Sequence, residues 1–224
     1  MQAYKGMKIE ILNVSGLRES IKGMRNPMDS WHLSDSETFN AIGTSNFSRI
    51  TTLGTKDKNL AQRLIKAGTE HCKFLRQIIV WIDVTMPRYW WSEADTYHFG
   101  SKNSCSTMHK LLNRKNPITI DDFYIESYET KHVIMPIIDY INELRDDYRK
   151  EPTSIKIRKA KQILPEGFLQ TRTWCTNYQE LRNIYLQRRN HRLDKEWGLF
   201  IDTLKELPYA EDLIFFLNSF DIAK

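Results

Sequence analysis

Residues 160–189 read AKQILPEGFLQTRTWCTNYQELRNIYLQRR. The second half of this stretch has helical periodicity, because Leu181, Ile184 and Arg188 recur at spacings of three and four and so lie on one face. Arg188 therefore ends an apolar stripe, where a guanidinium needs a carboxylate, a phosphate or a planar polar ligand. The alternative is an arginine that extends past the edge of the core or caps the last helical carbonyls.

The other polar residues of this helix have simpler interpretations. Asn177 can serve as the N-cap, a role that requires no ligand. Asn183 is a mediocre helix former, although an exposed asparagine is common in helices. Arg182 and Arg189 fall outside the apolar stripe, and we expect both of them in solvent.

A basic run, IKIRKAKQILP, occupies residues 155–165 and contains Lys161. Such a run is typical of a solvated helix face. The whole chain carries 33 basic and 28 acidic residues, and its net charge of +5 suits a protein that binds anions. No aromatic platform is interleaved with the basic run, so the sequence disfavours nucleic-acid binding.

A second polar segment, GSKNSCSTMH at residues 100–109, follows the Trp-rich stretch RYWWSEADTYHF. Ser and Asn side chains bond to nearby backbone in turns and caps, and Ser106 can cap a helix that starts just after it. A loop that surrounds the phosphate groups of a ligand with hydroxyls, an amide and backbone N–H groups fits equally well. The residues alone leave both interpretations open.

Strand and helix patterns alternate along the chain. Strands are predicted at residues 7–12 and 74–84, and helices at 57–68, 178–190 and 194–207. A further helical stripe follows Pro136, and Pro87 is expected in the first turn of a helix with Thr85 near its N-cap. Residues 24–54 are rich in Ser, Asn and Thr, which predicts irregular structure. No repeat or linker interrupts the chain, so we predict a single α+β domain over residues 1–224.

Composition excludes several classes of protein. No run approaches the roughly 18 apolar residues that a membrane span needs, and the opening MQAYKGMKIEIL lacks the apolar stretch of a signal peptide. The cysteines, Cys72, Cys105 and Cys175, are odd in number and lack metal-ligand spacing, so we expect reduced thiols and a cytoplasmic protein. The histidines also lack such spacing, and no metal site is predicted.

Taken together, these stretches resemble the flavin-dependent thymidylate synthases. The signature of that family is R-H-R-x-x-S-x-N-x-x-S-x-R, and TYHFGSKNSCSTM keeps its second half, with Ser101, Asn103 and Ser106 in matching spacing. The segment after Ala160 is similar to the A-R-x-x-L-P, W-x-x-N and L-x-N-x-x-x-x-R elements of the family. The matching residues there are Leu164, Pro165, Trp174, Asn177, Leu181, Asn183 and Arg188.

The resemblance implies an α+β subunit, with an antiparallel sheet flanked by helices, assembled as a homotetramer. It also implies transfer of a methylene from methylenetetrahydrofolate to dUMP, with FAD supplying the hydride and NADPH reducing the flavin. By position, Ser106 and Arg188 would be catalytic residues, with Arg188 at the pyrimidine. The nucleotide would be bound by Lys161, Ser106 and Arg188, and the flavin by Asn177, Asn183, His98, Ser101 and Asn103.

The sequence departs from the family where three cationic positions are expected. Thr96, Tyr97 and His98 stand where the family has R-H-R, and Met108 replaces the final arginine of the signature. Charge-assisted hydrogen bonds contribute about 1.5–3 kcal/mol each, so their joint loss weakens binding by several orders of magnitude. Other cations replace them (Lys102, His98 and Arg88 are close in sequence), the ligand differs, or catalysis has been lost.

Overall fold

The computed structural model describes residues 6–40 and 49–217. The first half of the chain contains β1 (Lys8–Ser15), α1 (Leu17–Arg25), β2 (Glu37–Asn40), β3 (Arg49–Thr52), α2 (Thr55–Ala67), β4 (Ile79–Pro87), α3 (Arg88–Ala94), β5 (Ser101–Ser104) and α4 (Thr107–Lys110). The second half contains α5 (Tyr128–Lys150), α6 (Ser154–Ile163), β6 (Leu169–Asn177), α7 (Tyr178–Arg188), α8 (Asp194–Leu204) and α9 (Ala210–Leu213). The predicted α+β class is confirmed.

Four strands form the main sheet, in the order β1-β4-β6-β5. Side-chain pairs fix the register of its two central strands. Thr85 shares a hydrogen bond of 2.7 Å with Thr171, and Thr173 donates to Asp83 over 2.5 Å. Residue numbers fall from 85 to 83 on β4 while those of their partners rise from 171 to 173 on β6, so β4 and β6 are antiparallel. A separate antiparallel hairpin joins β2 to β3, with Thr38 opposite Thr51.

The described residues divide into two compact units. The first contains residues 6–10, 83–98 and 102–174, and the second contains 11–40, 49–82, 99–101 and 175–217. Each strand of the main sheet contributes residues to both units. A single domain over residues 1–224 stays a prediction.

The first unit has an apolar core built around α5 and α6. Its buried members are Leu111, Leu112, Ile118, Phe123, Ile125, Ile134, Ile138, Ile141, Leu144, Ala160 and Leu164. The predicted helix after Pro136 begins earlier than expected, because Ser127 caps its first turn by accepting a bond from the Thr130 backbone N–H at 3.1 Å. Pro136 is tolerated inside α5 because it lies on the exposed side, where water can satisfy the carbonyl that loses its partner.

The second unit confirms three predicted helices, as α2, α7 and α8, and corrects one other expectation. α2 ends where Gly68 follows it with φ +111°, a conformation that favours glycine. Residues 24–54 are not wholly irregular, because they contain the β2–β3 hairpin, whose threonines suit strands. In the first unit, Thr85 lies inside β4 rather than at a helix cap; Pro87 ends that strand and precedes α3 directly.

Candidate functional site

A polar cleft of about 300 Å³ opens on the first unit. Three cationic side chains line it, and three hydroxyls lie among them: Arg88, Lys161, Arg172, Ser104, Ser106 and Thr107. Gln170 and Met108 complete the wall. Among the described residues, no carboxylate contributes to the lining.

Local structure explains how these side chains reach the cleft. Lys161 lies in the last turn of α6, and its Nζ donates to Thr107 Oγ1 at 2.9 Å. Ser106 is the N-cap of α4, where its Oγ accepts a bond from the His109 backbone N–H at 3.4 Å, which agrees with the first of its two interpretations. Gln170 and Arg172 are two residues apart on β6, so their side chains emerge on the same face of the sheet.

Both arginines of the cleft are held by carboxylates. Arg172 Nη1 lies 2.9 and 3.0 Å from the two oxygens of Asp95, and its guanidinium carbon lies 4.3 Å from the centre of the Trp91 ring. Arg88 Nη2 lies 3.1 Å from Glu166 Oε1. Within the described part of the chain, Lys161 makes no ion pair, so its charge is the one least compensated in the cleft.

This combination of groups suits a phosphate. An ammonium offers a compact charge, and neighbouring hydroxyls donate to phosphate oxygens. The structure thus brings together two residues that the sequence proposed for nucleotide binding, Ser106 and Lys161. The role of each stays a prediction.

Arg188 lies in the second unit, at the end of α7. It is half-buried, and its guanidinium carbon lies 5.1 Å from the centre of the Trp197 ring. A cavity of about 470 Å³ opens beside it, lined also by Tyr185, His191 and Asp194. The arginine is therefore stacked on a buried indole, a contact that suits a planar guanidinium.

The two asparagines of this segment have different environments. Asn177 is buried and caps α7, because its Oδ1 accepts a bond from the Glu180 backbone N–H at 3.0 Å. The predicted N-cap is thereby confirmed, and its flavin role stays a prediction. Asn183 is half-buried, and its Oδ1 accepts a bond from Gln179 Nε2 at 3.2 Å.

The predicted flavin contacts of the polar segment are all exposed. Ser101 and Asn103 belong to β5, so the first part of the segment is a short strand, and His98 precedes it. Lys102, between them, is only 10% exposed; its Nζ lies over the Trp174 ring at 4.5 Å and donates to the Tyr97 carbonyl at 2.8 Å. Because the Lys102 ammonium already makes these contacts within the protein, it is a poor replacement for an arginine that would bind a ligand.

Arg182 contradicts its expected position in solvent. It is 4% exposed, and its Nη1 donates to the carbonyls of Ile214 (2.9 Å) and Phe216. The segment after α9 therefore covers a side of α7 that periodicity alone marks as polar. A buried guanidinium is tolerated here because backbone carbonyls accept its hydrogen bonds.

Sequence reasoning missed Arg172, Gln170 and Glu180. The i, i+2 spacing of Gln170 and Arg172 in a threonine-rich strand was the available signal for these two residues. Glu180 is 2% exposed and accepts hydrogen bonds from the Phe99 backbone N–H (2.9 Å) and from the Thr176 hydroxyl. It thereby fixes residues 99–101 beside the start of α7, and no local pattern marked it.

The described residues contain neither a candidate metal site nor a candidate membrane-spanning helix. They contain no group of three or more His, Cys, Asp or Glu that could hold a metal ion. They also contain no helix that is long and apolar enough to cross a membrane. All three cysteines are unpaired.

Comparison with known proteins gives matches in structure but not in sequence. The flavin-dependent thymidylate synthase ThyX from Helicobacter pylori, complexed with FAD and dUMP, is 18% identical to this chain with a TM-score of 0.69; the match covers 93% of this chain and 98% of that one. A second structure, Thymidylate Synthase X from Helicobacter pylori with FAD and dUMP, is 17% identical with a TM-score of 0.67, and the match covers 93% and 97%. No family model and no curated protein matches the sequence. This chain therefore has a fold like that of the flavin-dependent thymidylate synthase ThyX.

Proposed function

We propose that this protein binds a pyrimidine nucleoside monophosphate such as dUMP and methylates it as a flavin-dependent thymidylate synthase-like enzyme. FAD would be the cofactor, and methylenetetrahydrofolate and NADPH would be cosubstrates. The proposal includes a cytoplasmic homotetramer, as the resemblance implies.

One observation carries this proposal: Lys161, Ser106 and Thr107 converge in a cleft that no described carboxylate lines, on a fold of the ThyX type. The phosphate would lie against the Lys161 ammonium, where the hydroxyls of Ser106 and Thr107 can donate to its oxygens. Arg188 would contact the pyrimidine, as the resemblance implies. No side chain needs to attack the uracil ring, since these groups position the nucleotide and complement its charge.

The residues proposed for FAD fit its polar groups. Ser101 and Asn103 expose a hydroxyl and an amide, and Asn183 keeps its amide at the half-buried surface of α7. A cation is available beside this segment, because Arg76 is exposed and its guanidinium carbon lies 5.8 Å from the centre of the Phe99 ring. When bound, reduced FAD would supply the hydride. The chain's own residues would hold and orient it.

The test begins with an absorbance spectrum of the purified protein, followed by titration with FAD and with dUMP. We expect a flavin spectrum or saturable FAD binding, together with saturable dUMP binding. NADPH oxidation that depends on dUMP would support catalysis. Protein that binds neither FAD nor dUMP would overturn the proposal.

A second candidate is a nucleotide-binding or regulatory protein that has lost flavin chemistry. It is favoured because residues 96, 98 and 108 are not arginine, as the family signature would have them. It is also favoured because the Lys102 ammonium already contacts the Tyr97 carbonyl and the Trp174 ring. This candidate predicts dUMP binding with no bound flavin and no NADPH oxidation, with or without dUMP. The same spectrum and titrations therefore separate the two.

A further inference from the structure

A second cavity adjoins the polar cleft and shares two of its side chains. It has a volume of about 310 Å³, and both cavities are lined by Met108 and Lys161. Its remaining walls are Ile157, Ser154, Arg158 and Gln162. Lys161 therefore stands where two neighbouring cavities meet.

The two cavities differ in chemistry. The first offers hydroxyls and guanidinium groups, whereas the second offers the thioether of Met108 and the side chain of Ile157 as apolar surface. Met108 is 52% exposed, so a ligand can cover it. Within the described residues, no carboxylate lines the second cavity and Arg158 makes no ion pair, so an anionic ligand is not repelled.

A terminal phosphate uses only one of these cavities. It carries two negative charges near neutral pH, but it would leave the apolar surface beyond Lys161 in contact with water. A phosphodiester keeps one negative charge for Lys161 and carries a second substituent that can cover Met108 and Ile157. An aromatic substituent could also stack under the Arg158 guanidinium.

We propose that the Lys161 cleft recognises a nucleotide whose phosphate is esterified to an apolar or aromatic group, with that group in the cavity of Met108 and Ile157. This inference rests on the proposed function for the nucleotide half of the ligand and extends it to the class of phosphate. Met108 is the residue that determines specificity, because it supplies apolar surface beside the phosphate.

Calorimetric titration with dUMP and with its 5′-phenyl ester tests the proposal. Burial of a phenyl ring predicts about tenfold tighter binding of the ester. Equal affinities, or tighter binding of dUMP, would overturn this inference while leaving the proposed function intact. If neither compound binds, the inference and the proposed nucleotide binding both fail.

Two substitutions test whether Met108, which lines both cavities, causes the preference for the ester. Met108→Arg adds a cation beside the phosphate and removes the apolar surface, so we expect dUMP to bind more tightly than the ester. The matched control is Met28→Arg, which adds the same charge at a methionine that is 82% exposed and lines neither cavity. An ester preference that survives Met108→Arg, or that Met28→Arg also removes, would contradict the assignment.

Discussion

The Lys161 ammonium lies 2.9 Å from the Thr107 hydroxyl oxygen, across 54 residues of chain. This hydrogen bond joins the end of α6 to the first residue of α4 and orients the least compensated charge of the cleft. The ammonium can give its remaining N–H groups to a ligand.

Replacement of Lys161 is expected to weaken dUMP binding strongly. Lys161→Met removes a charge-assisted hydrogen bond to the phosphate, which predicts a loss of about 10- to 100-fold in affinity at low salt. Calorimetry at two salt concentrations measures both the loss and the reduced salt dependence. Lys159→Met is the control, because Lys159 is exposed on the same helix and lines neither cavity. Equal effects of the two substitutions would refute the assignment.

Arg172 is expected to matter less than Lys161. Asp95 already compensates its charge through both carboxylate oxygens, so Arg172→Met should weaken dUMP binding by only about threefold. The same titrations measure this ratio. A loss larger than that of Lys161→Met would show that Arg172 is the main phosphate ligand.

Substitutions of Arg188 test its proposed contact with the pyrimidine. Arg188→Ala should abolish pyrimidine nucleotide binding, and Arg188→Lys should not restore it, because a lysine cannot offer paired planar donors. The control is Arg192→Ala, an exposed arginine that follows α7. Circular dichroism checks that each variant is folded. Wild-type affinity in Arg188→Ala would rule out its proposed contact with the pyrimidine.

Arg182 is expected to affect stability. Arg182→Met leaves the buried Ile214 carbonyl without its 2.9 Å donor, which predicts a loss of about 1–3 kcal/mol in the free energy of unfolding. Urea denaturation measures this change. Arg192→Met should change the stability by less than about 0.5 kcal/mol, because Arg192 is exposed. If Arg182→Met leaves the free energy of unfolding unchanged, the segment after α9 contributes little to the stability of the fold.

Stability in acid should depend on Asp57. Burial raises the pKa of its carboxyl, but hydrogen bonds from Ser34, Ser36 and Arg25 outweigh burial and hold that pKa below its usual value of 3.8. Because the folded state releases this proton more readily than the unfolded state, the group stabilises the fold above pH 3.8. That contribution is lost as the pH falls through the lower folded-state pKa.

Removal of one of these hydrogen bonds should weaken the acid resistance. Ser34→Ala eliminates the 2.6 Å bond to Asp57 Oδ2 and raises the pKa of that carboxyl. The midpoint of acid unfolding, followed by circular dichroism, should therefore move to higher pH. Ser30→Ala is the control, because the hydrogen bonds of Ser30 within the described residues use its backbone groups. An unchanged midpoint in Ser34→Ala would contradict the assignment.

Local signals predicted much of the fold. The periodicity of residues 178–190 identified α7, Asn177 and Ser106 were recognised as possible caps, and Gly68 marked the end of α2. These features depend on neighbours within about four residues, so a single sequence contains the information. The strand before Pro87 was recognised for the same reason, although its start was placed five residues too early, at Phe74 rather than at Ile79.

The sequence by itself thus determined helices α2, α7 and α8, the cap of α7 and the α+β class, because hydrogen bonds between near neighbours produce helices and their caps. Only the tertiary structure decided that Arg182 is buried, that Lys102 contacts Trp174, and that Arg172 joins Lys161 in one cleft. These contacts between distant residues arise because β4 pairs with β6, because α6 contacts α4, and because the segment after α9 packs on α7. The sequence shows which side chains are charged. It does not show which distant residue each one contacts, because that depends on how the chain packs, as the hydrogen bond between Lys161 and Thr107 illustrates.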